Sequence, residues 1–165
     1  MESYATVIVR RARDADVGGA ALVAAAVAEE DFLGLQPPVD VEERAQRFRE
    51  LIAQEAMWVL EDAGQIVGYG AAPETTAGVL TVGMAIEAAA RGQGGGRGLL
   101  AAIQDHARTT GAHKISLEVW IDNARAIALY AASGFEVEGL RRDHYRRRDG
   151  RLRSTLIMAW RVRGN

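Results

Sequence analysis

Between Arg91 and Gly98 the chain reads Arg91-Gly92-Gln93-Gly94-Gly95-Gly96-Arg97-Gly98, five glycines in eight residues, and then enters an apolar helical pattern, Leu99, Leu100, Ile103 and Ala107. A helix N-terminus presents unpaired N–H groups and a partial positive charge, which suit a phosphate if the preceding chain lets it come close. Glycines remove the Cβ atoms that would block that approach. Arg91 and Arg97 add charge-assisted donors on either side. Together these residues predict a pyrophosphate cradle.

Three other readings compete. A P-loop needs Gly-Lys followed by Ser or Thr, and the only lysine is Lys114, so that pattern fails. Gly96-x-Gly98-x-x-Ala101 fits a dinucleotide fingerprint loosely, with Glu118 about twenty residues on as the ribose-binding acid. Its glycines, however, begin several residues after the preceding strand ends, and too little chain follows for the second half of a doubly wound sheet. A purely structural flexible turn is the third alternative.

The elements that must position this loop come from a chain of 165 residues, long enough for one domain with a real core. Hydrophobic residues at 48% and charged residues at 25% describe an ordinary globular protein. Strand-like Ala5 to Ala12 precedes a largely buried helix from Ala15 to Glu30, introduced by Asp14. After the Pro37-Pro38 loop, Asp40 and Glu43 form a capping-box-like start, with Val41, Ala45, Phe48 and Ile52 on one face of a second helix. Ala56–Asp62, Gln65–Glu74 and Gly78–Glu87 read as strands joined by the short connectors Ala63-Gly64 and Thr75-Thr76-Ala77, which favour antiparallel hairpins. Gly111 ends the helix after the glycine loop. His113 to Trp120 is a strand with Ile115, Leu117 and Val119 on one face and Glu118 on the other. Asn123 caps a short helix to Ser133, Gly134 stops it, and strands from Phe135 and from Leu152 close the chain.

A net charge of -2 gives no electrostatic case for nucleic acid or an anionic membrane. The charges are unevenly spread all the same. Glu29, Glu30, Asp31, Asp40, Glu42 and Glu43 crowd the first third, and Arg141, Arg142, Arg146, Arg147, Arg148, Arg151 and Arg153 crowd the end. They read as two solvated faces or, for the acids, as a lip that attracts an amine. With no cysteine, thiolate chemistry and sulfur-bound zinc are excluded. His106, His113 and His144 lack metal-ligand spacing, so no metal is expected. The small apolar run Gly18–Ala28 falls short of the ~20 residues a membrane helix needs, and a cytosolic protein is the expectation.

Arg91-x-x-Gly94-x-Gly96 after a strand ending Gly83-Met84-Ala85-Ile86, a helix, the strand Ile115–Trp120, and then Asn123 through Ala-Leu-Tyr130 to Gly134-Phe135 resemble the acyl-CoA-binding core of the GNAT N-acetyltransferase superfamily. The resemblance covers at least Val79 to Met158. It implies a mixed α/β (α+β) fold: a mostly antiparallel twisted central sheet, helices on both faces and splayed central strands, in one domain over residues 1–165. It further implies that backbone N–H groups from Gly92 to Gly98 hold the pyrophosphate of acetyl-CoA. Main-chain groups of Met84 and Ile86, flanking Ala85, would pair with the pantetheine arm, and Asn123 would sit beside it. Tyr130 matches the tyrosine that donates a proton to the departing sulfur; otherwise it is a core aromatic.

Direct transfer to an amine needs a base, and Glu118 is the candidate, in a partly dry slot that would raise its pKa. The alternative is a solvent-facing carboxylate paired with an arginine. Two acceptors compete. The Glu118–Tyr130 stretch with Tyr145 looks like the ribosomal-protein-alanine N-acetyltransferases, where Tyr145 would line a peptide slot. The Phe135–Gly139 segment and the Leu35–Glu43 loop look more like bacterial acetyltransferases of free amino acids and related small amines. An α-amine is the expected acceptor, a small molecule first: a peptide α-amine, at pKa about 7.7 to 8.0, has a substantial neutral fraction near neutral pH and needs only a weak base, whereas a lysine side chain at about 10.4 would need far stronger deprotonation. Glu30 and Phe32, in the loop after the first helix, would contact it. A non-catalytic acyl-CoA binder is the alternative class. Family dimers are common, and the strand from Leu152 could serve as the edge for a homodimer.

Overall fold

The computed structural model describes residues 7–162. In chain order they form β1 (Ile8–Arg11), α1 (Val17–Ala28), α2 (Val41–Ala53), β2 (Met57–Asp62), β3 (Gln65–Ala71), β4 (Glu74–Thr76), β5 (Val79–Thr81) and β6 (Gly83–Ile86). Then follow α3 (Gly95–Thr110), β7 (Lys114–Trp120), α4 (Ala124–Ala132), β8 (Glu136–Arg146) and β9 (Leu152–Arg161). This is the expected mixed α/β architecture, its strands sorted into two sheets ordered β1-β2-β3-β6 and β4-β5-β7-β9-β8. The chain divides into two compact units, Met1–Pro73 with Gly83–Ile103 and Glu74–Val82 with Gln104–Asn165.

In the first unit the sheet is antiparallel throughout. The first strand is shorter than the pattern predicts, and Ala5 and Thr6 of that pattern lie outside the described residues. Alanine-rich α1 buries Ala20, Ala21, Ala24 and Ala28 almost completely, because side chains this small let a helix axis approach its neighbours closely. Asp40 caps α2, its carboxylate accepting from the Glu43 N–H at 3.0 Å, as its spacing predicts. Phe48 of α2 then meets Tyr69 of β3 with ring centroids 4.8 Å apart. The β2–β3 hairpin turns on Ala63 and Gly64, both at positive φ (47° and 80°), the handedness that matches the twist of the flanking strands.

The second unit corrects one expectation about strands. Gly78–Glu87 is not a single strand hairpinned to Gln65–Glu74. It splits at Val82 into β5 and β6, which join different sheets, while β4 arises within the expected connector and forms a small antiparallel hairpin with β5. Val82 still follows the β5 partner, its N–H donating to the Ser116 carbonyl at 2.9 Å, whereas Gly83 begins the pairing with Ala71. In the sequence Leu80, Val82, Met84 and Ile86 alternate without a break, so periodicity carries no mark of the change of partner, although burial shifts phase from Leu80 and Val82 to Ala85. A glycine at the join is the only local sign.

Within the second sheet β5 runs parallel to β7 and the remaining pairs are antiparallel. The strand from Leu152 is not an edge: β9 lies between β7 and β8, because its hairpin with β8 folds the C-terminal strand inward. The edge beside it is β8. Gly111 and Gly134 stop α3 and α4 at φ 77° and 88°, as placed from the sequence.

Candidate active site

The glycines of the 91–98 stretch do two different jobs. Gly92 and Gly94 are exposed at φ 77° and 86°, and an added Cβ at either meets nothing within 4 Å. They leave the turn open and conformationally permitted. Gly95 begins α3, and a Cβ there would lie 2.5 Å from Cδ2 of Leu60, a fully buried residue of β2. Gly98 would bring a Cβ to 3.0 Å from Cγ2 of Val9. These two let the helix settle on its sheet. Overpacking of this kind costs about 1–3 kcal/mol, so Gly95→Val is expected to lower the urea midpoint accordingly. A midpoint equal to that of the parent would mean that α3 stands clear of Leu60.

Gly96 and Arg97 lie in the first turn of α3; Arg97 is exposed and, among the described residues, makes no ion pair. Gln93 donates to the Ala89 carbonyl at 3.3 Å. Arg91 is placed otherwise than a loose phosphate donor would be. Its Nε donates to the Ile86 carbonyl at 2.8 Å and its Nη2 pairs with Glu30 Oε2 at 2.7 Å. Two residues assigned separately, one to the cradle and one to the acceptor, therefore hold each other and tie the end of β6 to the turn after α1. Phe32, three residues before Leu35 in the same loop, is 37% exposed.

The outer edge of β6 follows from its register. Glu87 N–H donates to the Val67 carbonyl, and Tyr69 faces Ala85 two residues along. Antiparallel alternation then turns the main-chain groups of Ala85 toward β3 and those of Met84 and Ile86 away from it. Among the described residues no strand pairs with β6 on that outer side.

In the second unit, Glu118 of β7, Thr155 of β9 and Arg141 and Tyr145 of β8 share one sheet face. Tyr145 Oη donates to Glu118 Oε2 at 2.7 Å and Thr155 Oγ1 donates to the same oxygen at 2.8 Å. Arg141 Nε lies 3.3 Å from the other oxygen, Oε1. Burial, the bond to Glu118 and the charge of Glu118 push the Tyr145 hydroxyl up from its ordinary pKa, against the opposing charge of Arg141. It remains a donor. The Glu118 side chain is 33% exposed, so it occupies the rim of this face rather than the dry slot the sequence suggested.

A bulge makes the cluster possible. Arg141 faces Thr155 and Tyr145 faces Arg153, so four steps along β8 match two along β9. Asp143 takes φ 49° in the bulge and its N–H donates to Ser154 Oγ at 2.8 Å. In a regular ladder Asp143 would stand opposite Arg153, on the same face as Glu118, and Tyr145 would be two residues further away. Trp120 floors the cluster, buried, with Tyr145 edge-on at 5.4 Å and the guanidiniums of Arg153 and Arg147 at 4.2 and 5.2 Å. Thr155 and the role of Arg141 escaped the reading of the sequence, since neither stands near Glu118 in the chain; the alternation of β9 is the one signal that puts Thr155 on a face.

Tyr130 of α4 is 8% exposed, its ring 5.9 Å from Phe135, and among the described residues its hydroxyl has no hydrogen-bond partner. Burial pushes its pKa up to about 12. Asn123 caps α4, its Oδ1 accepting from the Ala126 N–H at 3.2 Å. Among the described residues no group of three or more His, Asp or Glu could hold a metal ion, and no helix is long and apolar enough to cross a membrane.

A strand–loop–helix unit with an open glycine turn, and a sheet face carrying a hydrogen-bonded carboxylate, define a class. Residues 22–135 match the family described as Acetyltransferase (GNAT) family, and the chain belongs to it. Among relatives, N-alpha-acetyltransferase RimI of Mycobacterium tuberculosis is 38% identical over 105 residues, 59% of this chain. The chain covers 63% of that protein, less than two-thirds of its length. The crystal structure of ribosomal-protein-alanine N-acetyltransferase from Brucella melitensis is 27% identical with a TM-score of 0.84, covering 94% of this chain and 99% of that one. A GNAT superfamily phosphinothricin acetyltransferase from Sinorhizobium meliloti, in complex with acetyl-CoA, shares the fold at 23% identity and a TM-score of 0.81, over 95% of this chain and 89% of that one.

Proposed function

We propose that the protein is an acetyl-CoA-dependent N-acetyltransferase that acetylates the α-amine of a small molecule, with residues 1–165 working as one acyltransferase domain. The observation that carries the reading is the outer edge of β6. Met84 and Ile86 turn their main-chain groups to a side where, among the described residues, no strand pairs and only the Ile86 carbonyl is engaged, by Arg91. Five residues after the strand Arg91 opens a turn whose glycines leave open space ahead of the α3 N-terminus. An extended pantetheine arm fits such an edge, and a pyrophosphate fits N–H groups that no Cβ shields. Gly92, Gly94, Gly95 and Gly96 would supply those groups, with the Gln93 N–H between them and Arg97 adding charge; Gly98, expected to join them, instead donates its N–H to the Gly94 carbonyl at 3.0 Å in the first turn of α3. Arg91 contributes by fixing the loop through Ile86 and Glu30 rather than by free contact.

When bound, acetyl-CoA supplies an acyl group activated as a thioester. Glu118 accepts the proton that the attacking amine must lose, directly or through water, and the hydroxyls of Tyr145 and Thr155 hold its other oxygen in place. Tyr130, protonated throughout the neutral range, gives a proton to the departing sulfur. Asn123 fixes the start of the helix that carries Tyr130.

A second reading, acetylation of a protein N-terminus such as that of a ribosomal protein, is favoured by the names of the relatives and by Tyr145 at Glu118. Acetyl-CoA-dependent release of free thiol across amino acids, polyamines, aminoglycosides and peptides with free N-termini tests both. The chain has no cysteine and adds no background. Turnover of small α-amines is the expected result. Turnover of peptides alone would replace the acceptor, and tight acetyl-CoA binding with no turnover of any amine would leave an acyl-CoA-binding module.

A further inference from the structure

The two oxygens of Glu118 are not equivalent. Oε2 is saturated by two hydroxyl donors, Tyr145 at 2.7 Å and Thr155 at 2.8 Å. Oε1 faces Arg141 Nε at 3.3 Å and is the oxygen left for an amine. The Arg141 guanidinium is itself only partly used. Its Nη1 meets His144 Nε2 at 3.2 Å, its Nη2 has no hydrogen-bond partner among the described residues, and its side chain is 41% exposed. A guanidinium offers five donors in a rigid plane that suits a carboxylate.

A half-exposed carboxylate touching a half-exposed guanidinium presents adjacent sites for a cation and an anion. An α-amino acid carries its ammonium and its carboxylate on one carbon, so it matches this pair group for group. At the same position a peptide N-terminus carries a neutral amide, which accepts a weaker hydrogen bond than a carboxylate does. A polyamine carries a second cation, which the Arg141 guanidinium beside Glu118 would repel.

We infer that Arg141 reads the free carboxylate of the acceptor, and that the acceptor is a free α-amino acid. The inference rests on Glu118 as the group that meets the amine. Its test compares the twenty proteinogenic amino acids with their α-carboxamides on the full chain in the presence of CoA or acetyl-CoA. Binding is read by calorimetry and transfer by thiol release.

A preferred amino acid is expected to exceed its carboxamide by about 10- to 100-fold, the worth of one charge-assisted hydrogen-bonded contact. Arg141→Met is expected to abolish that preference, and Arg141→Lys, which keeps the charge without the fork, to retain part of it. Carboxamides or peptides used as well as free acids, or a preference that survives Arg141→Met, would overturn the inference and leave the transferase standing. Carboxylate-selective binding that depends on Arg141, without thiol release, would keep Arg141 as the reader of a free carboxylate and overturn the amino acid as acceptor together with the transferase. Absence of both binding and release would overturn both.

Discussion

Tyr130→Phe is expected to lower turnover about a hundredfold or more while acetyl-CoA affinity stays nearly constant. The stability of this variant sharpens the test. Among the described residues the phenol has no hydrogen-bond partner, so its removal leaves no protein group unsatisfied and should leave the urea midpoint unchanged or slightly raised. A large kinetic loss in a protein at least as stable as its parent can come only from the missing hydroxyl. Pre-steady-state measurement of thiol release locates it: the loss must fall on the chemical step. Undiminished turnover would return Tyr130 to the core, as one more aromatic packed on Phe135.

Glu118→Gln is the second large effect, about 10²- to 10⁴-fold on turnover. Glutamine keeps one carbonyl oxygen for Tyr145 and Thr155, so the cluster retains its anchor and loses the charge and the basic oxygen beside Arg141. The size of the defect should depend on the acceptor. An amine of low pKa is already neutral and needs little help, whereas an amine of high pKa depends on the base, so the defect should grow with amine pKa. A defect that is flat across such a series would make Glu118 a binding group rather than a base. Because the Arg141 pair is exposed, the fold should survive with a loss no larger than about 1 kcal/mol.

What the sequence disclosed follows the distance over which each feature is decided. Asp40 and Asn123 cap their helices through bonds to residues three further along, and Gly111 and Gly134 stop theirs through their own φ, so all four were legible. The clamp of Arg91 on Glu30 joins residues 61 apart, and nothing in either neighbourhood announces it. Gly95 appeared to belong wholly to the loop until Leu60 stood against it. The split at Val82 was hidden because strand periodicity records which face a residue takes, not which strand it pairs with. For Glu118, alternation gave the correct face, but the donors and the exposure that set its chemistry come from β8 and β9.

The bulge in β8 reaches beyond the placing of one tyrosine. Two surplus residues keep parity, so Tyr145 stays on the face of Glu118; one surplus residue would send it to the opposite face and offer Glu118 a histidine or an arginine instead. Single-residue insertions and deletions between Arg141 and Tyr145 thus act as a selector with discrete positions, each dialling a different side chain toward the Glu118 carboxylate. The side chains beside Glu118 can therefore change through strand length alone while every residue of the 91–98 loop stays as it is.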